Sequence, residues 1–314
     1  MLLNTLPPRV YLQEVAVRDG FQIEPGFVPT ADKIALIDRL SGTGLAKIEI
    51  TSFVSPKAIP NLRDAQEVAL GITRSPDVSY VALVPNERGC ERALACGLDE
   101  INLVLSASET HNLANMRRTP SQSLAGFRAV MAMLRGTAMQ VNGTIATAFG
   151  CPFEGPLSIV DVLALGHAFR ELGMHSITLA DTTGMADPRQ VAELTRLFLD
   201  TFPSMPLTLH FHNTRGMGLA NVMAAVGAGA VRFDGALGGL GGCPFAPGAT
   251  GNVCTEDVAH MFDSCGIVTG VDLDKLLRIA RGLPELLGHE VPGQIIKAGP
   301  RSERHPPPLA ALRA

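Results

Sequence analysis

Short apolar blocks recur along this chain and alternate with amphipathic stretches that have a helical period. Such blocks, when bounded by turn residues, are typical of buried strands. Eight strands are predicted, at residues 10–17, 46–52, 78–85, 100–106, 140–148, 176–181, 207–213 and 231–237. Helices are predicted between and after them, at residues 30–42, 60–73, 86–96, 120–135, 156–172, 188–202, 217–228 and 255–265.

Strand and helix units in tandem indicate a parallel sheet in an α/β fold. Eight units joined by right-handed crossovers close into a (β/α)8 TIM barrel. An open, doubly wound sheet is the alternative, but it usually has fewer units and a glycine-rich turn after its first strand, which is missing here. We therefore predict a catalytic barrel over residues 1–270. Residues 271–314 are predicted to add C-terminal helices, within 272–287, and a flexible tail.

Composition narrows the class of protein. A chain of 314 residues with 46% hydrophobic and 18% charged residues is compact and well buried, and one barrel accounts for its length. A net charge of −4 gives no sign of the excess positive charge that nucleic-acid-binding proteins carry, so we expect no nucleic-acid partner. The longest uncharged apolar stretch, residues 216–231, is shorter than the roughly 20 residues that span a bilayer. The first residues lack the features of a signal peptide, so we expect a cytoplasmic protein with no membrane contact.

The predicted seventh strand carries His210 and His212, which project from the same face because side chains alternate along a strand. Two such imidazoles can share a metal ion. Asp19 ends the first apolar run and Asn252 ends a glycine-rich segment, so these four residues form a candidate ligand set. Taken singly, each could be a core histidine, a helix cap or a turn residue. The oxygen-rich set favours Mg²⁺ or Mn²⁺, whereas a tetrahedral site that included a cysteine would favour Zn²⁺.

Other polar residues lie where the predicted strands end, which is where TIM barrels carry their chemistry. Glu49 and Asp181 are candidate catalytic residues, or ion-pair partners of Arg18. Glu109 and His111 are weaker candidates that could be ordinary loop residues. The predicted substrate contacts are Arg18, Gln22, Ser108 and Thr182.

The six cysteines contain no CxxC pair, which argues against a disulfide framework and a structural zinc site. Cys243 differs from the others because glycines flank it on the segment that leads to Asn252. We expect this thiol at the barrel mouth.

Several motifs together resemble the 3-hydroxy-3-methylglutaryl-CoA (HMG-CoA) lyase family, whose members are metal-dependent TIM-barrel enzymes. The resemblance runs over about residues 10–270. It is carried by EVAVRDGFQ at residues 14–22, IEITSFVSPK at 48–57, ADTTG at 180–184, HFH at 210–212 and GGLGGCPFAPGATGN at 238–252. The last motif is the most specific to the lyases.

The resemblance implies an activity and roles for single residues. The activity is cleavage of HMG-CoA into acetyl-CoA and acetoacetate, as used in leucine degradation and ketone body formation. Asp19, His210, His212 and Asn252 would hold Mg²⁺ or Mn²⁺. Arg18 would contact the thioester carbonyl, Glu49 and Asp181 would steady Arg18 and the metal shell, and Cys243 would exchange a proton with the acetyl-CoA carbon. Asp19 and His210 are both candidates for the general base. A homodimer is the family expectation.

The sequence also departs from the usual lyase pattern. Residues 16 and 17 are Ala and Val where Gly-Pro is common, Ile23 replaces an Asn, and Asn213 and Arg215 replace Asp and Tyr. Because Ile23 removes a polar side chain near the pocket, a related acyl-CoA substrate such as citramalyl-CoA or a larger branched homologue stays open. A condensing enzyme of the isopropylmalate synthase type, or a non-catalytic binding protein, are further alternatives.

Overall fold

A computed structural model of the chain describes residues 6–242 and 251–306. Eight parallel strands in these ranges close into a barrel in sequence order. The strands are β1 (Tyr11–Glu14), β2 (Lys47–Ser52), β3 (Ser79–Leu83), β4 (Glu100–Ser106), β5 (Gln140–Ala146), β6 (Ser176–Asp181), β7 (Leu207–Phe211) and β8 (Arg232–Gly235). The predicted (β/α)8 TIM barrel is confirmed.

The α-helices of the described residues surround the strands or follow the barrel. They are α1 (Thr30–Ser41), α2 (Ala65–Gly71), α3 (Glu87–Ala95), α4 (Glu109–Met116), α5 (Pro120–Met133), α6 (Ile159–Leu172), α7 (Pro188–Thr201), α8 (Gly218–Gly227), α9 (Thr255–Ser264), α10 (Leu273–Ala280), α11 (Leu283–Leu287) and α12 (Ile295–Ala298). Among them, none is long and apolar enough to cross a bilayer.

Helix α7 shows how the sequence specifies these elements. The Asp187 carboxylate accepts hydrogen bonds from the backbone N–H groups of Arg189 and Gln190, which would otherwise lack partners at the helix start. Pro188 occupies the first helical position, where its missing N–H costs nothing. One face of the helix then packs on the barrel through residues spaced three and four apart: Val191, Leu194, Thr195 and Phe198.

A buried polar layer fills part of the barrel interior. The Asn142 side-chain amide donates to Asn102 Oδ1 (3.1 Å) and Thr178 Oγ1 (3.0 Å), and the Thr144 hydroxyl donates to Asn102 Oδ1 (2.7 Å). These bonds satisfy groups that would be costly to bury alone. The layer lies below the barrel mouth and contacts the polar residues there, because the Asn102 amide also donates to Glu49 Oε1 (3.1 Å).

The first strand is shorter than predicted. It ends at Glu14, and Ala16–Gly20 forms a π-helical turn instead of the expected continuation to residue 17. The buried Glu14 carboxylate accepts from the backbone N–H groups of Ala16 (2.7 Å) and Leu237 (2.9 Å), and from the Thr255 hydroxyl (2.7 Å). Burial raises the pKa of Glu14 to about 7. Glu14 therefore joins the turn after β1 to the segments before and after the glycine-rich motif.

Helix boundaries also differ from the pattern-based prediction. The helix expected over residues 60–73 is a 3₁₀ turn, Pro60–Leu62, followed by α2. Helix α4 is new, and it begins because Ser108 caps it by accepting from the backbone N–H of His111 (3.1 Å). Beyond the barrel, α10 and α11 occupy the region where extra helices were predicted. The predicted flexible tail extends past residue 306, outside the described residues.

Candidate metal centre

The π-helical turn after β1 presents Arg18 and Asp19 to side chains from other strands. The backbone N–H of Asp19 donates to Val15 O (2.7 Å), and that of Gly20 donates to the same oxygen (3.4 Å). This tight turn places two consecutive charged side chains beside each other: Arg18 Nη1 lies 2.7 Å from Asp19 Oδ1. A regular strand would have directed them to opposite faces.

Asp19 is buried, and both of its carboxylate oxygens are held. Oδ1 accepts from Arg18 Nη1 (2.7 Å) and Gln22 Nε2 (2.9 Å), while Oδ2 accepts from Asn252 Nδ2 (2.7 Å). Burial alone would raise its pKa, but the charge of Arg18, with His210 and His212, outweighs burial and lowers the pKa of Asp19. Asp19 is therefore an ionised carboxylate at the barrel mouth.

The two histidines at the end of β7 converge on Asp19. Their Nε2 atoms lie 3.2 Å apart, and His212 Nε2 lies 4.0 Å from Asp19 Oδ2. One ligand atom from each of the three residues lies within 4.8 Å of the others. Two adjacent ligands bound at about 2.1 Å in an octahedral shell are separated by about 3 Å, so this spacing suits a divalent cation.

Asp234 on β8 orients the first of these histidines. It lies opposite His210 in the strand register, and its Oδ2 is 3.1 Å from His210 Nδ1. A carboxylate only accepts, so Nδ1 carries the hydrogen and Nε2 faces the site. Burial would lower the pKa of His210, but the hydrogen bond and charge of Asp234 outweigh it and raise that pKa.

His212 has a different environment. Burial, with the adjacent charge of His210, lowers its pKa to about 4, so its ring is neutral near pH 7. Its buried Nδ1 has no hydrogen-bond partner among the described residues. A neutral imidazole is the form that binds a metal ion. The donor set of one carboxylate and two imidazoles therefore fits a divalent cation.

Arg18 is held in place by a second carboxylate. Its Nε donates to Glu49 Oε2 (2.6 Å), and Glu49 Oε1 accepts from the Asn102 amide (3.1 Å). Burial disfavours the charge on Arg18, but Glu49 and Asp19 outweigh burial and raise its pKa. Its Nη2 makes no hydrogen bond within the described part of the chain. The guanidinium is thus fixed by two carboxylates, through Nε and Nη1.

The glycine-rich segment approaches Asp19 closely. A side chain at Gly241 would place its Cβ 2.5 Å from Asn252 Nδ2 and 3.0 Å from Asp19 Oδ2, and Gly241 has a φ of +100°. Both properties require glycine. Asn252 also donates to Leu240 O (2.9 Å), so its amide nitrogen faces Asp19. The structure brings Asn252 to the site, and binding through its amide oxygen stays a prediction.

Three predicted residues have other partners in the structure. The Asp181 Oδ1 accepts from the backbone N–H groups of Met185 (2.8 Å) and Ala186 (3.1 Å). The sequence offered Asp181 as an ion-pair partner of Arg18, but the two side chains make no hydrogen bond with each other. Burial raises the pKa of Asp181 to about 7. Ser108 is fully buried as the cap of α4, and Thr182 Oγ1 accepts from the Thr147 backbone N–H (3.1 Å). Both hydroxyls accept hydrogen bonds from backbone N–H groups and so fix the backbone near the barrel mouth.

The remaining candidates fall into two groups. Glu109 and His111, considered as loop residues, lie in α4, where the buried His111 Nδ1 is 2.7 Å from Ser106 Oγ. Cys243 lies outside the described residues. Sequence reasoning placed Asp234 among the polar residues at the strand ends but gave no role to it or to Glu14. A polar residue inside a predicted strand was the available signal for Asp234, but its pairing with His210 requires the register between strands.

Comparison with known proteins identifies the family of the chain. Residues 9–282 match the family model described as HMGL-like. The chain belongs to the HMGL-like family. It is 46% identical to hydroxymethylglutaryl-CoA lyase YngG of Bacillus subtilis, over 92% of this chain and 96% of that protein. It is 43% identical to (R)-citramalyl-CoA lyase of Chloroflexus aurantiacus, over 93% of this chain and 95% of that one.

A solved structure extends the comparison. An HMG-CoA lyase from "Acenitobacter baumannii", in complex with coenzyme A and 3-methylmalate, superposes with a TM-score of 0.93 and 57% sequence identity, covering 96% of this chain and 98% of that chain. The resemblance to the HMG-CoA lyase family that the sequence motifs indicated is therefore confirmed. The chain is a member of an enzyme family.

We expect Asp234→Ala to weaken Mn²⁺ binding by about 10-fold to 100-fold, because His210 would lose the group that fixes its ring. Isothermal titration of the purified protein with Mn²⁺ measures the change. Asp200→Ala, at an exposed position of α7, is the matched control and should bind as the wild type does. Equal affinity in Asp234→Ala would show that this carboxylate does not support the metal site.

Proposed function

We propose that this protein cleaves HMG-CoA into acetyl-CoA and acetoacetate with the help of a divalent cation, Mg²⁺ or Mn²⁺. The observation that carries the proposal is that one turn provides both a candidate metal ligand, Asp19, and a positive charge, Arg18. Asp19 faces the two imidazoles of the candidate metal centre, and the adjacent Arg18 lies 2.7 Å from it. Charge can therefore be stabilised at two neighbouring points of one substrate.

The reaction breaks the bond between C2 and C3 of the acyl group. The C3 hydroxyl loses its proton as its carbon becomes the ketone of acetoacetate, and C2 leaves with the electron pair as the enolate of acetyl-CoA. Asp19, His210 and His212 would hold the cation, which supplies Lewis acidity toward the C3 hydroxyl. Asp19 and His210 both face the position proposed for the cation, and both are candidates for the proton acceptor.

Arg18 is suited to the enolate side of this reaction. Its guanidinium keeps its charge at all working pH values, and two carboxylates fix it in one orientation. Its Nη2, which has no partner among residues 6–242 and 251–306, can donate to the thioester oxygen as negative charge develops there. Glu49 positions Arg18 by holding Nε, and Asn102 in turn holds Glu49.

Protonation of C2 completes the products. In our proposal the Cys243 thiol gives its proton to this carbon and so converts the enolate to the methyl group of acetyl-CoA. The proposal rests on the family resemblance of the segment that contains Cys243. Gln22 is proposed to contact substrate from its position beside Asp19. Homodimer formation and a cytoplasmic location are further proposals that rest on the resemblance.

Citramalyl-CoA is the second candidate substrate. It differs from HMG-CoA by lacking one methylene in the arm that ends in the free carboxylate. A citramalyl-CoA lyase is among the similar proteins, and the similar solved structure holds 3-methylmalate, another short dicarboxylate. Ile23, which is 41% exposed and follows Gln22, provides an apolar surface next to the site. These observations favour testing both acyl groups.

Incubation with HMG-CoA and Mg²⁺ should yield acetoacetate and acetyl-CoA in equal amounts, and removal of the metal by EDTA should stop the reaction. His210→Ala should lower kcat by at least about 100-fold, because it removes a metal ligand. Acetoacetate formation is followed by NADH oxidation, with a dehydrogenase added that reduces acetoacetate to 3-hydroxybutyrate. His305→Ala, at an exposed histidine, is the control and should retain full activity.

The same assay distinguishes the alternatives. Consumption of acetyl-CoA only when a keto acid is added would indicate a condensing enzyme. Binding of acyl-CoA without any turnover would indicate a binding protein. Either result would contradict the proposed cleavage.

Ile23→Asn should shift the ratio of kcat/KM for HMG-CoA over citramalyl-CoA toward HMG-CoA by about 10-fold, because contacts around one methylene are worth about 10-fold to 200-fold. Both substrates are assayed with the wild type and the variant, and Mn²⁺ affinity should not change. Leu197→Asn, on the outer face of α7 and equally exposed at 40%, is the matched control. An unchanged ratio would exclude Ile23 from substrate selection.

A further inference from the structure

The segment between α11 and α12 contacts two segments that lead to the candidate metal centre, one next to the Asp19 turn and the other at the start of the glycine-rich segment. It begins after Leu287 and contains His289, Val291, Pro292 and Gly293. At one end, His289 Nε2 lies 2.7 Å from Glu24 Oε2. Near the other end, the backbone N–H of Gly293 donates to Gly238 O (3.0 Å), at the start of the glycine-rich segment. We call residues 288–293 the C-terminal strap.

The contact with the glycine-rich segment is close and apolar. Val291 is only 2% exposed and packs against Gly238, where an added Cβ would lie 3.1 Å from the valine Cβ. Pro292 packs against Gly239 in the same way, with its Cγ 3.1 Å from the position of an added Cβ. The Asp257 carboxylate accepts from the backbone N–H groups of Gln294 and Ile295 and thereby fixes the end of the strap to α9.

The contact with the Asp19 turn runs through Glu24. This residue follows the 3₁₀ turn Phe21–Ile23, which contains Gln22, and Gln22 donates to Asp19. The Glu24 side chain is only 7% exposed, and its carboxylate lies against the His289 ring. The Asn61 amide donates to Glu24 O (2.6 Å), so the backbone here is held from the β2 side as well. A buried carboxylate needs a charged partner, and His289 supplies it.

The ring of His289 has acceptors at both nitrogens. Nε2 faces the Glu24 carboxylate and Nδ1 faces Glu290 O at 2.9 Å. Both acceptors can be satisfied only by the doubly protonated, positively charged ring. The hydrogen bond to Glu24, followed by that to the Glu290 carbonyl, raises the pKa of His289.

These contacts form a closed path. From Asp19 it passes through Gln22 and Glu24 to His289, along the strap to Gly238, and back through Asn252 to Asp19. We propose that His289 is a positioning residue whose charged ring closes this path and so fixes the Asp19 turn relative to the glycine-rich segment. The inference rests on the proposed metal site. The exposed ring, at 41%, makes His289 reachable by solvent protons.

The sign of the pH dependence follows from the direction of the shift. A histidine whose pKa is raised by its partner contributes fully below its ordinary pKa, and the contribution is lost as the pH rises through the raised pKa. Among the described residues, the carboxylate that faces the ring is that of Glu24, and Glu290 contributes its carbonyl. At low pH the charged His289 ring therefore holds Glu24 and the path is closed. As the pH rises, the ring loses its charge and this contact weakens.

The test compares Mn²⁺ affinity, measured by the electron paramagnetic resonance signal of free Mn²⁺, in the wild type, His289→Gln and His289→Lys. Glutamine stands for the neutral ring, and lysine keeps the charge throughout the range. The measurement runs from about pH 6 to about pH 9, where histidine titrates. Ratios of variant to wild-type affinity cancel the protonation of the metal ligands themselves.

At about pH 6, His289→Gln should bind Mn²⁺ about threefold more weakly than the wild type, as expected for a partly exposed ion pair. The difference should vanish at about pH 9. His289→Lys should match the wild type in acid and bind about threefold more tightly in alkali. His305→Gln, which changes an exposed histidine of the tail, should leave the ratio at one throughout. Thermal melting checks that each variant is folded.

Three other outcomes have distinct meanings. Equal affinity of His289→Gln and wild type at about pH 6 would overturn the proposal. The glutamine and lysine variants could also bind Mn²⁺ equally weakly, with a ratio to the wild-type affinity that does not change with pH. That result would show that His289 acts by packing and would overturn the proposal too. Failure of the wild type itself to bind Mn²⁺ would instead contradict the proposed metal site.

Discussion

The buried carboxylate of Asp19 is the group on which the site depends. Three separate parts of the chain supply its hydrogen-bond donors: the turn after β1, the 3₁₀ turn that contains Gln22, and the end of the glycine-rich segment at Asn252. An ionised carboxylate without partners would be expensive to bury. Each donor therefore offsets part of that cost, and together they fix the turn after β1 against the glycine-rich segment that follows β8 in sequence.

The same constraint explains features that would otherwise be unrelated. Gly241 is needed because any side chain there would overlap Asn252 and Asp19. The π-helical turn is needed because it directs Arg18 and Asp19 toward one mouth of the barrel. Glu14 stabilises this turn and the start of the glycine-rich segment with one carboxylate. Local backbone geometry, packing and charge thus all help to fix the position of the Asp19 carboxylate.

Much of the fold was predictable because the apolar blocks of a parallel barrel are continuous and alternate with amphipathic helical stretches. The eight strands and the face shared by His210 and His212 follow from periodicity alone. The turn after β1 was not predictable, because its apolar residues also suit a strand and its shape depends on the distant Leu237 and Thr255 interactions of Glu14.

The candidate site was predictable only in part, for the same reason. Residue type and position at strand ends were enough to select Asp19, Arg18 and Glu49. Asp234 was missed as a partner of His210 because their pairing depends on the register of β7 with β8. The cap formed by Ser108 was not predictable because α4 itself was not predicted, and a contact of Ser108 with substrate stays a prediction. Interactions between distant segments decide what each polar side chain does.

The most direct test of the central claim is anomalous diffraction from crystals grown with Mn²⁺, recorded at the manganese absorption edge. The account predicts one strong peak at the barrel mouth, about 2.1 Å from Asp19 and from the Nε2 atoms of His210 and His212. A peak bound elsewhere, or no peak at a concentration that supports turnover, would contradict it.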